Sequence, residues 1–430
     1  MKLISLLPVF QIFLLVTIGF IPDQTCASTR TCYEHTSYPY NHKSMKTAQC
    51  DMVAVKSQQL NNAVGYLSPD QAFIIDFHCG VSDKTLCNKA QQAFNNVGQR
   101  IASVLKISTA IKVNATFTDF CKTLNECSTS AGLVLGSAAP ARTLPIDDDD
   151  NVTRLYPQAL LKQMNMRNRP QYGPYDILAN FNSQANMFFR GDGQIKQGQN
   201  DFEYIVTHEF IHGLGFGSSW RNYFNADILT PLPVDNGASF GGFMESRFDK
   251  FMFVKQNGTF VPMSSLTKQL NSFFSNKKFS NNIDTSRQFT NSPQFALTKQ
   301  LFNAASTPSS MNFVTNSNDQ ISLETGLKPF QEGSSVSHVN QSFMQNGEFL
   351  MTFAARDGIT LDDIAQKNGI SNSAGIGPKT LNALATLGYT IQDKPNSNLK
   401  SSASKLHIQS LNSNIIGIIA LVFLLQFAIL

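Results

Sequence analysis

His208-Glu209-Phe210-Ile211-His212 is the stretch whose residue types and spacing most directly spell out a reaction. It fits the pattern H-E-x-x-H. On a helix, positions i and i+4 share a face one turn apart. Both imidazoles can then reach one metal ion, with Glu209 beside them to take a proton from a metal-activated water. Two neutral nitrogen ligands and a carboxylate base are the donor set of a zinc hydrolase. With 7 His in 430 residues, chance alone produces this motif with a probability of roughly 0.002. Coincidence is therefore a weak rival.

The motif needs a helix to carry it. Asn200 offers an N-cap, and Glu203 follows three residues later as in a capping box. Phe202, Val206 and Phe210 mark one face and Ile205 another, which predicts a helix buried all round. Gly213, Gly215 and Gly217 end it. A buried helix with two histidines and a glutamate requires partners for those groups, and a metal supplies one.

Catalytic zinc usually takes three protein ligands and keeps one position open. Three residues compete for the third place. Ser218 stands where the compact pattern H-E-x-x-H-x-x-G-x-x-H would have histidine, but a hydroxyl is a poor zinc ligand. Glu245 would complete a His-His-Glu site. His338, in the Gly/Ser-rich turn Gly333-Ser-Ser-Val-Ser-His338, would complete a three-histidine site and is preferred.

The surrounding chain predicts an α+β order. Gln71–Cys79, Ile111–Phe117 and Asp176–Asn182 read as strands, and a further strand within Ala131–Leu144 ends before Pro145. Asn88–Leu105 reads as an amphipathic helix, Leu155–Met164 as a short helix, and Phe243–Val254 shows near-helical spacing. Asp147–Asp150 reads as a solvated acidic loop. Residues 264–318, rich in Ser, Asn, Gln, Lys and Phe, read as helices and loops within the catalytic unit.

Both ends carry targeting signals. Met1-Lys2, the apolar run Leu3–Ile21 and the small residues near Ala27 form a secretion signal over 1–27. At the other end, small residues Ser401–Ser404, a polar spacer and the apolar run 415–430 form a glycolipid-anchor signal, with Ser402 as the attachment residue. A tail-anchored span is the rival reading, although sixteen residues are short for one. Cleavage after Ala27 leaves six cysteines, all before residue 130. An even number in a secreted chain predicts three disulfides, with the local pairs Cys32–Cys50, Cys79–Cys87 and Cys121–Cys127 as the simplest set. Sequons occur at Asn114, Asn151, Asn257 and Asn340. The net charge of +4 is small for 430 residues, and no basic stripe is present, which argues against a nucleic-acid partner.

His208-Glu-Phe-Ile-His-Gly-Leu-Gly-Phe216, Gly333-Ser-Ser-Val-Ser-His338 and Glu348-Phe-Leu-Met-Thr352 together resemble the metzincin zinc peptidases of the leishmanolysin-like branch. The helix running from Gly377-Pro378 to Tyr389 is similar to the one that closes such catalytic domains. The resemblance implies Zn2+ held by His208, His212 and His338, Glu209 as general base, Gly215 as a turn glycine and Met351 as the methionine of a tight turn beneath the metal. It further implies a metzincin-like domain with a mixed sheet, an active-site helix, a long insertion before the third ligand and a C-terminal helix. The expected organisation is a signal (1–27), a cysteine-bearing region with the start of the sheet (28–150), the catalytic domain (151–395, insertion 221–330), a linker and spacer (396–414) and the tail (415–430). The expected function is a secreted or surface-anchored endopeptidase acting on proteins or peptides and tied to the membrane by its lipid. A surface adhesion module with a structural or vestigial zinc is the alternative.

Overall fold

The computed structural model describes residues 29–35, 45–54, 65–127, 132–224, 226–235, 240–275, 277 and 279–393. The expected secretion signal, spacer and anchor signal with Ser402 lie outside the described residues. Among the described residues, no helix is long and apolar enough to cross a membrane.

Two sheets frame the molecule. In the first half, β1 (Thr29–His35) pairs antiparallel with β2 (Met45–Ala54). β3 (Phe73–Cys79) leads into helix α1 (Lys84–Ala102), and β4 (Ile111–Thr118) follows. Then come β5 (Gly136–Pro140), β6 (Arg142–Asp147), β7 (Thr153–Pro157), β8 (Asn168–Pro170) and β9 (Ile177–Asn182). The central sheet has the order β3-β4-β9-β5, with β5 as its antiparallel edge. The other sheet has the order β7-β6-β1-β2-β8. The first strand of the chain thus lies inside a sheet, between β6 and β2.

Helix α2 (Phe202–Gly213) carries the motif. All its residues except His212 are buried, as the apolar pattern predicts. β9 is buried at every position, as expected of a strand covered on both faces. The packing is aromatic. Phe202 meets Phe94, Phe117 and Phe181 at ring-centroid distances of 5.4, 5.4 and 5.5 Å. Each such contact contributes about 0.5–1.5 kcal/mol beyond area burial. The cluster locks α2 against α1 and the central sheet.

The second half is built around β10 (Leu232–Asp235), β11 (Phe240–Met244), β12 (Met252–Gln256), β13 (Thr259–Pro262), α3 (Met263–Asn271), α4 (Asn282–Thr290), α5 (Pro293–Ala304), β14 (Met311–Val314) and β15 (Gln320–Ser322). Strands β13-β12-β14-β15 form a small antiparallel sheet. One hydrophobic core runs through both halves, from Phe94 and Val113 to Phe243, Leu301 and Phe313. Helices α6 (Leu361–Lys367) and α7 (Pro378–Leu387) are the last among the described residues.

All three expected disulfides are present: Cys32–Cys50, Cys79–Cys87 and Cys121–Cys127. Several local expectations give way. Leu155–Pro157 belong to β7, and only Gln158–Leu161 are helical. Phe243–Val254 spans the end of β11 and the start of β12, not a helix. Pro145 lies within β6, because by that point the strand has parted from β1 and needs no N–H on that side. Asp147–Asp150 is no freely solvated loop. Asp148 is held by Arg154, Arg247 and Lys250, and Asp150 by Arg154. Among the sequons, Asn151 and Asn257 sit in exposed turns. Asn114 lies mid-sheet, and Asn340 caps a helical turn through Ser342 N.

Gly213 lies where α2 crosses the sheet. A Cβ there would stand 2.4 Å from Cγ2 of Ile177. Gly213→Ala is expected to destabilise the fold by about 1–3 kcal/mol through overpacking. A urea titration checks this by a lowered midpoint at unchanged slope.

Candidate metal centre

Two imidazoles one turn apart on α2 and a third from 126 residues further on meet at one point. The Nε2 atoms of His208, His212 and His338 lie 3.0–3.1 Å from one another. Nitrogens that share one zinc ion at bond lengths of about 2.0–2.1 Å have separations of this order. Each ring is turned by a bond on its other nitrogen. His208 Nδ1 donates to the Leu350 carbonyl at 2.6 Å, His212 Nδ1 to Phe216 O at 2.6 Å and His338 Nδ1 to Ser334 O at 3.0 Å. With the Nδ1 protons placed there, the three Nε2 lone pairs face inward. This is the outer-shell arrangement that orients metal-binding histidines.

Local structure explains each placement. Asp201, not Asn200, caps α2, accepting from Glu203 N at 3.2 Å and from Leu361 N at 2.7 Å. Burial pushes the Asp201 carboxyl up to about 7. Glu203 is drawn instead into an ion cluster with Arg190, Arg100 and Asn96. At the other end, Leu214 is the C-cap and Gly215 takes φ +105°. A Cβ on Gly215 would meet Pro157 Cγ at 2.5 Å, so the turn that brings Phe216 O back to His212 needs glycine there.

His338 sits in a turn clamped by backbone bonds on both sides. Its carbonyl accepts from Glu324 N at 2.8 Å, and Val339 N donates to Met351 O at 2.9 Å. Met351 is fully buried in the helical turn Phe349–Met351, whose Leu350 carbonyl holds His208. Tyr389 Oη, just beyond α7, donates to Leu214 O at 2.9 Å and ties the segment after α7 to the end of α2.

Glu209 borders the triad, with Oε1 4.0 Å from His208 Nε2. Burial pushes its carboxyl up to about 8, opposed by a bond from the backbone N–H of Ala138 on edge strand β5. Burial likewise lowers His208 to about 4 and, joined by the charge of His208, lowers His338 to about 3. His212 is lowered as well, first by burial. The triad opens on a cleft of about 830 Å³ lined by Gly136–Pro140 of β5, Glu209, His35 and Arg221.

The rival ligands are occupied elsewhere. Glu245 is buried and accepts from Arg154 Nε, Ser264 Oγ and Thr267 Oγ1 at 2.6–2.7 Å. Ser218 Oγ donates to the buried carboxylate of Asp249 at 2.7 Å. The sequence reading missed His35 and Arg221, because only the folded sheet and the Arg221–Thr230 bridge bring them to the cleft.

Fold and cluster thus define an α+β protein with a buried three-histidine group able to hold a metal ion. The chain belongs to the family described as SPBPB7E8-like, whose model matches residues 32–237 and 226–417. It is 27% identical over 364 residues to a protein of Schizosaccharomyces pombe named "Uncharacterized protein PB7E8.01", a match covering 76% of this chain and 64% of the relative. The chain therefore spans less than two thirds of that relative's length. No solved structure matches it.

Two outcomes follow from this geometry. His338→Ala is expected to lose most affinity for added zinc, whereas Glu245→Ala keeps it but destabilises the fold by about 1–3 kcal/mol by leaving the buried Arg154 Nε without its acceptor. Metal analysis and urea titration of the two variants separate these effects. Because burial lowers the proton affinity of the three rings, acid competes only weakly for their nitrogens. Added zinc should stay bound as pH falls through about 6.5, the ordinary histidine range, and be released only below it. Metal content after dialysis at stepped pH reads this directly.

Proposed function

We propose that this protein is a zinc-dependent endopeptidase of the metzincin type, working outside the cell. The observation that carries the reading is the convergence of His208, His212 and His338 with Glu209 alongside. The residues fit zinc: three neutral nitrogen donors, each braced by a carbonyl, beside a buried carboxylate in an open cleft. Zinc there would supply Lewis-acid polarisation of a carbonyl and a water acidified to near neutral pH.

The remaining roles fall to the chain. Glu209, ionised in the presence of a nearby cation, takes a proton from the attacking water and passes it to the departing amine. Its bond from Ala138 N holds the carboxylate in place. A peptide substrate is favoured by strand β5, an antiparallel sheet edge that lines the cleft. An extended chain can add to such an edge by main-chain hydrogen bonds. Gly136–Pro140 carries small side chains that leave room for this. In this reading Gly215 makes the turn after the helix and Met351 the buried turn under the site.

The three disulfides support an oxidising compartment, in line with the secretion signal and lipid anchor read from the two ends. Glu209→Gln is expected to retain one zinc per chain and lose turnover by a factor of about 10² to 10⁴. Casein cleavage with and without chelator, measured beside zinc content, tests this. Normal cleavage by the mutant would sink the assignment. Zinc without cleavage in the parent protein would instead favour a binding module with a structural metal.

A further inference from the structure

The N-terminal strand ends in the cleft. β1 is built into its sheet by β2, by the pairs Tyr33–Thr143 and Glu34–Arg142, and by His35 N donating to Ala141 O at 3.0 Å. The Glu34 carboxylate is held by Arg142 and that of Asp147 by Arg30. Cys32 and Cys50 are buried in the main core. This segment is therefore a fixed wall of the cleft.

At its tip, two polar side chains border the cleft, each with one unpaired atom. His35 and Thr143 lie on the same face of adjacent strands, as diagonal neighbours of the Tyr33–Thr143 pair. Both line the cleft. Nδ1 of His35 and Oγ1 of Thr143 are shut off from solvent with no hydrogen-bond partner. Buried polar atoms left unpaired are costly and call for an explanation. Arg221 lines the same cleft. Its side chain makes one loose ion contact, Nε to Glu332 Oε1 at 3.7 Å. The other Glu332 oxygen accepts from Asn222 N. The outer nitrogens of the Arg221 fork remain available. Its charge acts on both His35 and His212, so it lies within electrostatic reach of the strand tip and of the metal centre.

We infer that Arg221, His35 and Thr143 form a subsite for a carboxylate near the scissile bond, so that the protein selects substrates with an acidic residue there. Arg221 supplies the planar fork that suits a carboxylate. A small turn of the His35 ring and of the Thr143 hydroxyl would give their unpaired atoms this carboxylate as a partner. All three groups can donate, and Arg221 can do nothing else, which fits an acceptor-only ligand rather than an amide. The inference rests on the peptidase reading for its role but not for its measurement.

The test uses zinc-loaded protein and a set of hexapeptides with one Glu or one Gln at each position in turn. At one position the Glu peptide is expected to show a kcat/KM at least about tenfold above its Gln counterpart, the scale of a charge-assisted contact. Arg221→Gln should bring that ratio close to one at unchanged zinc content. Arg221→Lys should keep part of it, and His35→Asn should lower it. A ratio near one at every position in the parent protein overturns the subsite. The second readout does not need turnover: calorimetric binding of the same peptides to Glu209→Gln protein. If nothing is cleaved but the Glu peptide binds at least about tenfold more tightly than the Gln peptide, the peptidase reading falls and the subsite stands. Equal binding overturns the subsite whatever the cleavage result.

Discussion

Three hydrogen bonds from imidazole Nδ1 atoms to the carbonyls of Leu350, Phe216 and Ser334 fix the centre of this molecule. Their partners come from three separate segments. Each bond sets one ring's tautomer and rotation, and together they aim three Nε2 lone pairs at one point. A histidine without such a bond could turn its ring, and the site would lose one donor without losing a ligand residue. The surrounding architecture serves this constraint. Gly215 bends the chain so that Phe216 O returns to His212. The turn at 349–351 delivers Leu350 O, and backbone bonds between 324, 338, 339 and 351 hold the two late turns together.

Rigid supports are needed because the donors sit at the junction of two halves of one core. Helix α2 is pinned at its start by the Glu203 cluster with Arg100 and Arg190, which also engages Asp362. Beyond its end, Tyr389 bonds to Leu214 O. The Arg154 network joins β7 to the later half through Glu245 and to Asp148 and Asp150. Buried ion pairs add little net stability compared with apolar packing. What they do here is hold register, since moving either half would leave a charge unpaired.

The cleft takes its character from the same arrangement. One border is the outer edge of the central sheet, strand β5, whose Ala138 N–H holds Glu209. Another is the tip of β1 with Arg221, a donor-rich corner. Glu209 lies between them, buried enough that its charge depends on what is bound nearby.

Much of this was legible in the sequence because the signals are local. The i, i+4 histidines, the apolar residues around α2, the alternation in Ile111–Phe117 and the short cysteine spacings each report on neighbours in the chain, where period and loop length dominate. Signals failed where tertiary pairing overrides local pattern. The apolar spacing of Phe243–Val254 suits a helix, but those residues are claimed by strands on either side of a turn. Leu155–Pro157 became strand because β6 offered an edge. Glu203 left its capping role because two arginines 13 and 103 residues away reach it. The acidic run at 147–150 found cations that no spacing rule connects to it. The sequence by itself determined the helix motif, the number of disulfides and the candidate donors. Only the tertiary structure decided that His338, 126 residues beyond His212, completes the triad, that Glu245 answers Arg154 instead, and that His35 and Arg221 share a cleft. Ligands and ion partners are chosen by distance in space, and the chain encodes that distance only through the packing of the whole core.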